Sequence, residues 1–120
     1  MEKLTTKEEE VLTFVWKLNR PCGPRDVVAC YPEPRPHVNT VATSFQSLEK
    51  KGYLTHESRG RGFAYIPLVS CADYGRRTLG RVIQEFFAGS YMNVVSAFVK
   101  EKNVSKEELD QLLRELQEKP

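Results

Sequence analysis

Apolar residues along this chain recur at three- and four-residue intervals almost everywhere, and they alternate in one short stretch only. Val11, Leu12, Val15, Trp16 and Leu18 give one face of a first helix, predicted over Lys7–Leu18. Thr6-Lys7-Glu8-Glu9 before it fits a capping box, and Asn19-Arg20-Pro21 stops it. Gly23-Pro24 predicts a short second helix over about Arg25–Tyr31, burying Val27, Val28 and Cys30. Pro32, Pro34 and Pro36 then forbid regular structure. Val38, Val41, Phe45 and Leu48 follow at i, i+3, i+7 and i+10, predicting a third helix that opens near Val38 or Asn39 and ends at Lys50-Lys51-Gly52.

Tyr53–Glu57 and Phe63–Pro67 read as strands, with Phe63, Tyr65 and Pro67 alternating with Ala64 and Ile66 in the second. Ser58-Arg59-Gly60-Arg61-Gly62 joins them. Beyond Pro67 the helical period returns. A long helix starts at Ser70 or Asp73, carries Tyr74, Leu79, Val82, Ile83, Phe86 and Phe87, and ends near Ala88-Gly89. A fifth helix carries Val94, Val95, Phe98 and Val99 and stops around Asn103. Ser105-Lys106-Glu107-Glu108 opens a sixth, with Leu109, Leu112, Leu113 and Leu116 on one side and Glu, Lys, Gln and Arg on the other. The expected class is therefore mainly α with a small β-hairpin. Residues 1–68 have the element order of a winged helix-turn-helix domain, and residues 69–120 form a helical region.

The polar side of the third helix carries Asn39, Thr40, Ala42, Thr43, Gln46, Ser47 and Lys50. A solvated helix face is usually dense in Glu and Lys, as the sixth helix is. Small neutral hydrogen-bonders are what a helix needs to enter a DNA major groove and bond to base edges. An amphipathic helix that is merely rich in Ser and Thr fits this stretch equally well. The hairpin tip decides between the two. Its glycines permit close approach to a backbone, and Arg59 and Arg61 can pair with phosphates or enter a minor groove, although a solvated flexible loop has the same composition. Side by side, a Ser/Thr-faced helix and an arginine tip point to DNA. His37, at the mouth of the third helix, is a candidate phosphate contact.

Composition narrows the class without naming it. With 120 residues, 40% hydrophobic and 28% charged, the chain can bury a core. The net charge is only +2. Residues 34–66 nevertheless hold five basic residues against two acidic ones, whereas residues 67–120 balance at eight and eight. Any electrostatic footprint for phosphate lies in the middle of the chain. No apolar run suits a membrane span, and the charged start MEKLTTKEEE has no apolar signal core, so a cytoplasmic location is expected. Cys22, Cys30 and Cys71 lack metal-ligand spacing and read as reduced, buried small hydrophobes. No cofactor or small-molecule ligand is indicated. The histidines, His37 and His56, have no nucleophile or carboxylate at a recognisable catalytic spacing, so no enzyme is expected; His56 reads as a solvated strand residue.

Residues 69–120 are too few to bury such apolar faces well alone. They either fold back on the first domain or pair with the same helices of a second copy. Pairing is the preferred expectation, because a two-fold dimer doubles the base contacts on a palindromic site. Leu79, Val82, Ile83, Phe86, Phe87, Tyr91, Val94, Val95, Phe98, Leu109, Leu112, Leu113 and Leu116 are the expected dimerisation residues. Use of the same helices to bind a different protein is the competing expectation.

Taken together, EEEVLTFVWKLNRP, NTVATSFQSLEKKGYL, the Arg-rich hairpin ending in FAYIP, and YGRRTLGRVIQEFFAGSYMNVVSAFV resemble the penicillinase-repressor (BlaI/MecI-type) family over nearly the whole length. The resemblance implies homodimers that bind inverted-repeat operators and repress resistance genes, often a β-lactamase. It also implies inactivation when a membrane sensor metalloprotease triggers cleavage in the dimerisation region, at a bond matching Ala97-Phe98. Familiar members carry asparagine in place of Ala97, and a plain core role for Phe98 competes. They also carry a lysine and an arginine where this chain has Asn39 and Ala42, which removes the commonest arginine-to-guanine readout. Gln46 or Asn39 reading adenine, with Thr40 or Thr43 against a thymine methyl, is the expected replacement. A related branch senses copper through clustered C-terminal cysteines, and residues 72–120 contain none.

Overall fold

A computed structural model describes residues 2–101 and 103–118, the side chains of residues 116–118 excepted. Six helices and one hairpin follow in the order α1 (Thr6–Leu18), α2 (Pro24–Val28), α3 (Val38–Lys50), β1 (Leu54–Arg59), β2 (Gly62–Pro67), α4 (Cys71–Phe86), α5 (Tyr91–Lys100) and α6 (Lys106–Glu118). This is a winged helix followed by further helices. The chain divides into two compact units, residues 1–74 and 75–120, with the division inside α4.

In the first unit Val11, Leu12 and Val15 of α1 meet Val27 of α2 and Val41, Phe45 and Leu48 of α3, with Tyr53, Leu54 and Val69 closing the core. Phe45 stacks edge-on against Tyr65 at 4.8 Å, which seats the hairpin on α3. The α1 cap is Thr5 rather than Thr6. The Glu8 amide donates to Thr5 Oγ1 at 3.2 Å, and the Thr5 amide donates back to Glu8 Oε1 at 2.8 Å. Both Thr5-Glu8 and Thr6-Glu9 satisfy the motif's spacing, so tertiary contacts of Glu8 decide the register. At the other end Asn19 adopts a left-handed conformation (φ 50°) and closes the helix. The second helix ends at Val28, shorter than expected.

The hairpin is antiparallel, from Leu54↔Pro67 to Arg59↔Gly62, so the connection is two residues long, Gly60-Arg61. Gly60 takes a φ of +57°, which glycine adopts without strain at the first position of a tight hairpin loop. Cys22 adds a bridge on the far side of β2: its amide donates to the Tyr65 carbonyl at 3.1 Å, and the Tyr65 amide donates back at 2.7 Å. The loop before α2 thereby pins the wing.

Ser70 caps α4, accepting from the Asp73 amide at 3.1 Å, and in the second unit Ser90 and Ser105 cap α5 and α6 by accepting from the amides of Asn93 and Glu108. Cys22 is buried, Cys30 half-buried and Cys71 exposed, so the expectation of three buried thiols fails at Cys71, which sits on the open first turn of α4. Among the described residues no helix is long and apolar enough to cross a membrane.

Candidate nucleic-acid interface

The side chains of α3 divide into four stripes, three of which each meet a different neighbour. Val41, Phe45 and Leu48 face the core. Thr40, Ser44, Ser47 and Lys51 lie toward α1. Thr40 and Ser44 line a cavity of about 250 Å³ with Lys7, Glu10 and Tyr31. Ser47 and Lys51 reach Glu8. Val38, Ala42 and Glu49 lie toward the hairpin, where Glu49 meets His56 and Val38 and Ala42 share a groove with Phe63. The outermost edge is left to Asn39, Thr43, Gln46 and Lys50, at i, i+4, i+7 and i+11, all exposed.

Glu8 fixes the angle of that edge. Its carboxylate is buried and accepts from Lys51 Nζ at 2.7 Å and from the Ser47 hydroxyl. Burial pushes its pKa up, but the hydrogen bonds from Lys51, Ser47 and Thr5 outweigh burial and hold it down at about 2. Ser47 was expected on the DNA-facing side; its hydroxyl is instead committed to Glu8, so it positions α3. On the hairpin side, His56 Nδ1 faces the Glu49 carboxylate, and its ring lies edge-on to Phe63 at 4.7 Å. His56 is thus not merely solvated: it ties β1 to α3. The neighbouring Tyr65 hydroxyl is pushed up by burial and then by the Glu49 charge.

His37 caps α3. Its Nδ1 accepts from the Asn39 amide at 3.0 Å, which in the neutral ring leaves the proton on Nε2, available to an outside acceptor. Thr43 Oγ1 donates to the Asn39 carbonyl at 2.9 Å, so its proton is already committed within the helix. The two hairpin arginines differ. Arg59 pairs with Glu57 of its own strand at 2.9 Å, while Arg61, at the tip, has no carboxylate partner among the described residues. Arg25 is another exposed cation without one, and sequence reasoning passed it over because one arginine on a five-residue helix has no pattern. Phe63, 61% exposed, was seen only as a strand residue.

In the second unit the expected dimerisation residues sort by exposure. Phe86 is 75% exposed, and Leu79, Tyr91, Phe98, Leu112 and Leu113 are between 45% and 63% exposed. Val82, Phe87, Val94, Val95 and Leu109 are half-buried, and Ile83 is buried within the chain itself. The Leu116 side chain lies outside the described residues. Met92, 75% exposed, joins the exposed set and had been missed because it precedes the apolar pattern of α5. Ala97 and Phe98 lie within α5.

Residues 4–118 match the family described as penicillinase repressor. The chain belongs to that family. Among penicillinase-repressor relatives it is similar to the penicillinase repressor of Bacillus licheniformis, with 32% identity over 79 residues, 66% of this chain and 62% of that protein. It is also similar to the methicillin resistance regulatory protein MecI of Staphylococcus aureus strain N315, with 22% identity over 117 residues, 98% of this chain and 95% of that one. Membership makes the chain a transcriptional regulator of winged-helix form.

Proposed function

We propose that this chain is a cytoplasmic repressor that binds an inverted-repeat DNA operator as a homodimer, and that α3 enters the major groove while the Gly60-Arg61 tip grips the flanking backbone. The observation that carries this is the exposed Asn39, Thr43, Gln46 and Lys50 edge, held between the α1 and hairpin contacts. Thr40, Ala42 and His37 flank that edge, and Arg59 supports the tip. The names of the relatives speak of penicillinase and methicillin resistance, which supports resistance genes of the β-lactamase type as the regulated class.

The exposed apolar faces of α4, α5 and α6 support a second copy as the partner. They equally suit a different protein, in a winged helix that does not read sequence. Sedimentation separates the two, since a tight dimer supports the repressor and a stable monomer the alternative. Footprinting on the promoter of its own gene at moderate salt then tests DNA binding; lack of a protected near-palindrome counts against it. Induction through a membrane sensor metalloprotease is the accompanying reading. The Ala97-Phe98 bond lies inside a helix, so cleavage there requires α5 to unwind locally. Recovery of an intact chain from cells exposed to inducer would remove that step while leaving DNA binding in place.

A further inference from the structure

A groove of about 560 Å³ runs beside the reading edge of α3, between that helix, β2 and the loop opening α2. Val38 and Ala42 form its α3 wall, Phe63 and Ala64 the hairpin wall, and Pro24 and Arg25 its outer lip. Phe63 stands 61% exposed, yet its ring is held in place by the edge of His56, itself tied to Glu49 of α3. Ala42 flanks the reading edge on its hairpin side, three residues after Asn39 and four before Gln46. Thr43, next to it, is exposed and turns its hydroxyl proton back to the Asn39 carbonyl at 2.9 Å. The carboxylate in the groove, Asp26, is already engaged by the Gly23 amide at 2.8 Å and by Arg20 at 3.5 Å. Arg25 on the lip and Arg61 beside Gly62 leave the border positive.

An apolar notch set in a polar, positively bordered reading surface has one complement in a major groove. The only apolar group that base pairs present there is the 5-methyl of thymine. Resting on the reading of α3 as a DNA-contacting helix, we propose that Val38, Ala42 and Phe63 form a receptor for thymine methyl groups. Sequence choice at this position is therefore made by apolar contact. The polar readout lies one step along the helix, at Asn39 and Gln46.

The test uses the full chain and duplexes selected by it from a randomised library. Each thymine of the selected half-site is then replaced by deoxyuridine, which deletes the methyl and leaves the base pair unchanged. At one or two positions binding weakens about fourfold per methyl, the loss expected for one buried CH₂ group. Phe63→Ala brings the thymine-to-uracil ratio at those positions close to one and leaves the salt slope unchanged. Ala42→Arg exchanges the thymine preference for guanine. Circular dichroism confirms that each variant is folded, and either variant alone suffices if the other is not. Selected sequences whose affinity ignores every uracil replacement, or a Phe63→Ala protein that keeps the full ratio, overturn this inference and leave the repressor reading standing. Failure to enrich any sequence overturns both.

Discussion

The two units of this chain solve the problem of apolar burial differently. In residues 1–74 the large aliphatic and aromatic residues of three helices and a hairpin close on one another, so that Leu12, Val27, Phe45 and Leu48 are wholly buried. In residues 75–120, among the described residues, Ile83 is the buried hydrophobic side chain, while Phe86, Tyr91, Met92 and Leu112 stand more than half exposed. The first unit closes a core of its own and leaves Phe63 and Leu68 outside it. The second, among the described residues, carries a folded backbone, capped by Ser90 and Ser105, and an exposed apolar surface. The contrast teaches that capping and periodicity suffice to form helices, whereas burial needs enough faces arranged around one centre.

The largest expected effect comes from attacking the second unit. On the proposed reading, replacing Phe86 and Leu112 with aspartate is expected to convert the proposed dimer to a monomer in sedimentation and to cost about 10²–10⁴ in apparent operator affinity through lost avidity. An unchanged mass would break the comparison. Next, Leu12→Ala in the first core is expected to cost about 2–5 kcal/mol by urea unfolding, whatever the protein concentration. Leu113→Ala should instead lower stability in a concentration-dependent way.

The third effect depends on pH and belongs to the first unit alone. Glu8 titrates near 2 when folded and near 4.5 otherwise, so the native state binds fewer protons in that interval. Its contribution, about 3 kcal/mol, is complete above pH 4.5 and is lost as pH falls toward 2. Acid unfolding followed by circular dichroism should therefore start near pH 4.5 and be flatter in Glu8→Gln. The smallest effect concerns the tip. Arg61→Ala should weaken binding to all sequences alike and reduce the slope of log affinity against log salt by about 0.9.

Much of the fold was legible because period and punctuation agreed. The α3 stripe, bounded by Pro36 and Gly52, placed that helix within a residue. The hairpin was legible too, but its five-residue connection was too long, since nothing local says that Ser58 and Arg59 continue the ladder. What stayed hidden depends on partners far along the chain. Glu8 looks like any first-turn acid until Ser47 and Lys51 arrive beside it. The pairing of Cys22 with Tyr65 involves a single residue on one side and so has no period to detect. On the candidate surface, Asn39, Thr43 and Gln46 followed from helix geometry alone. The inward duty of Ser47 and the anchoring of His56 did not, because helix geometry says which residues share a face and not what lies opposite it.

One contact gives the molecule a built-in optical probe. Trp16, its sole tryptophan, donates through Nε1 to the Val69 carbonyl at 2.9 Å, with the Tyr74 ring 5.8 Å away. The indole therefore sits where the chain leaves the wing, and its emission reports whether that junction is closed. Loss of these contacts on unfolding exposes the ring and shifts its spectrum to the red, so one unlabelled sample can follow unfolding of the first unit while light scattering follows assembly.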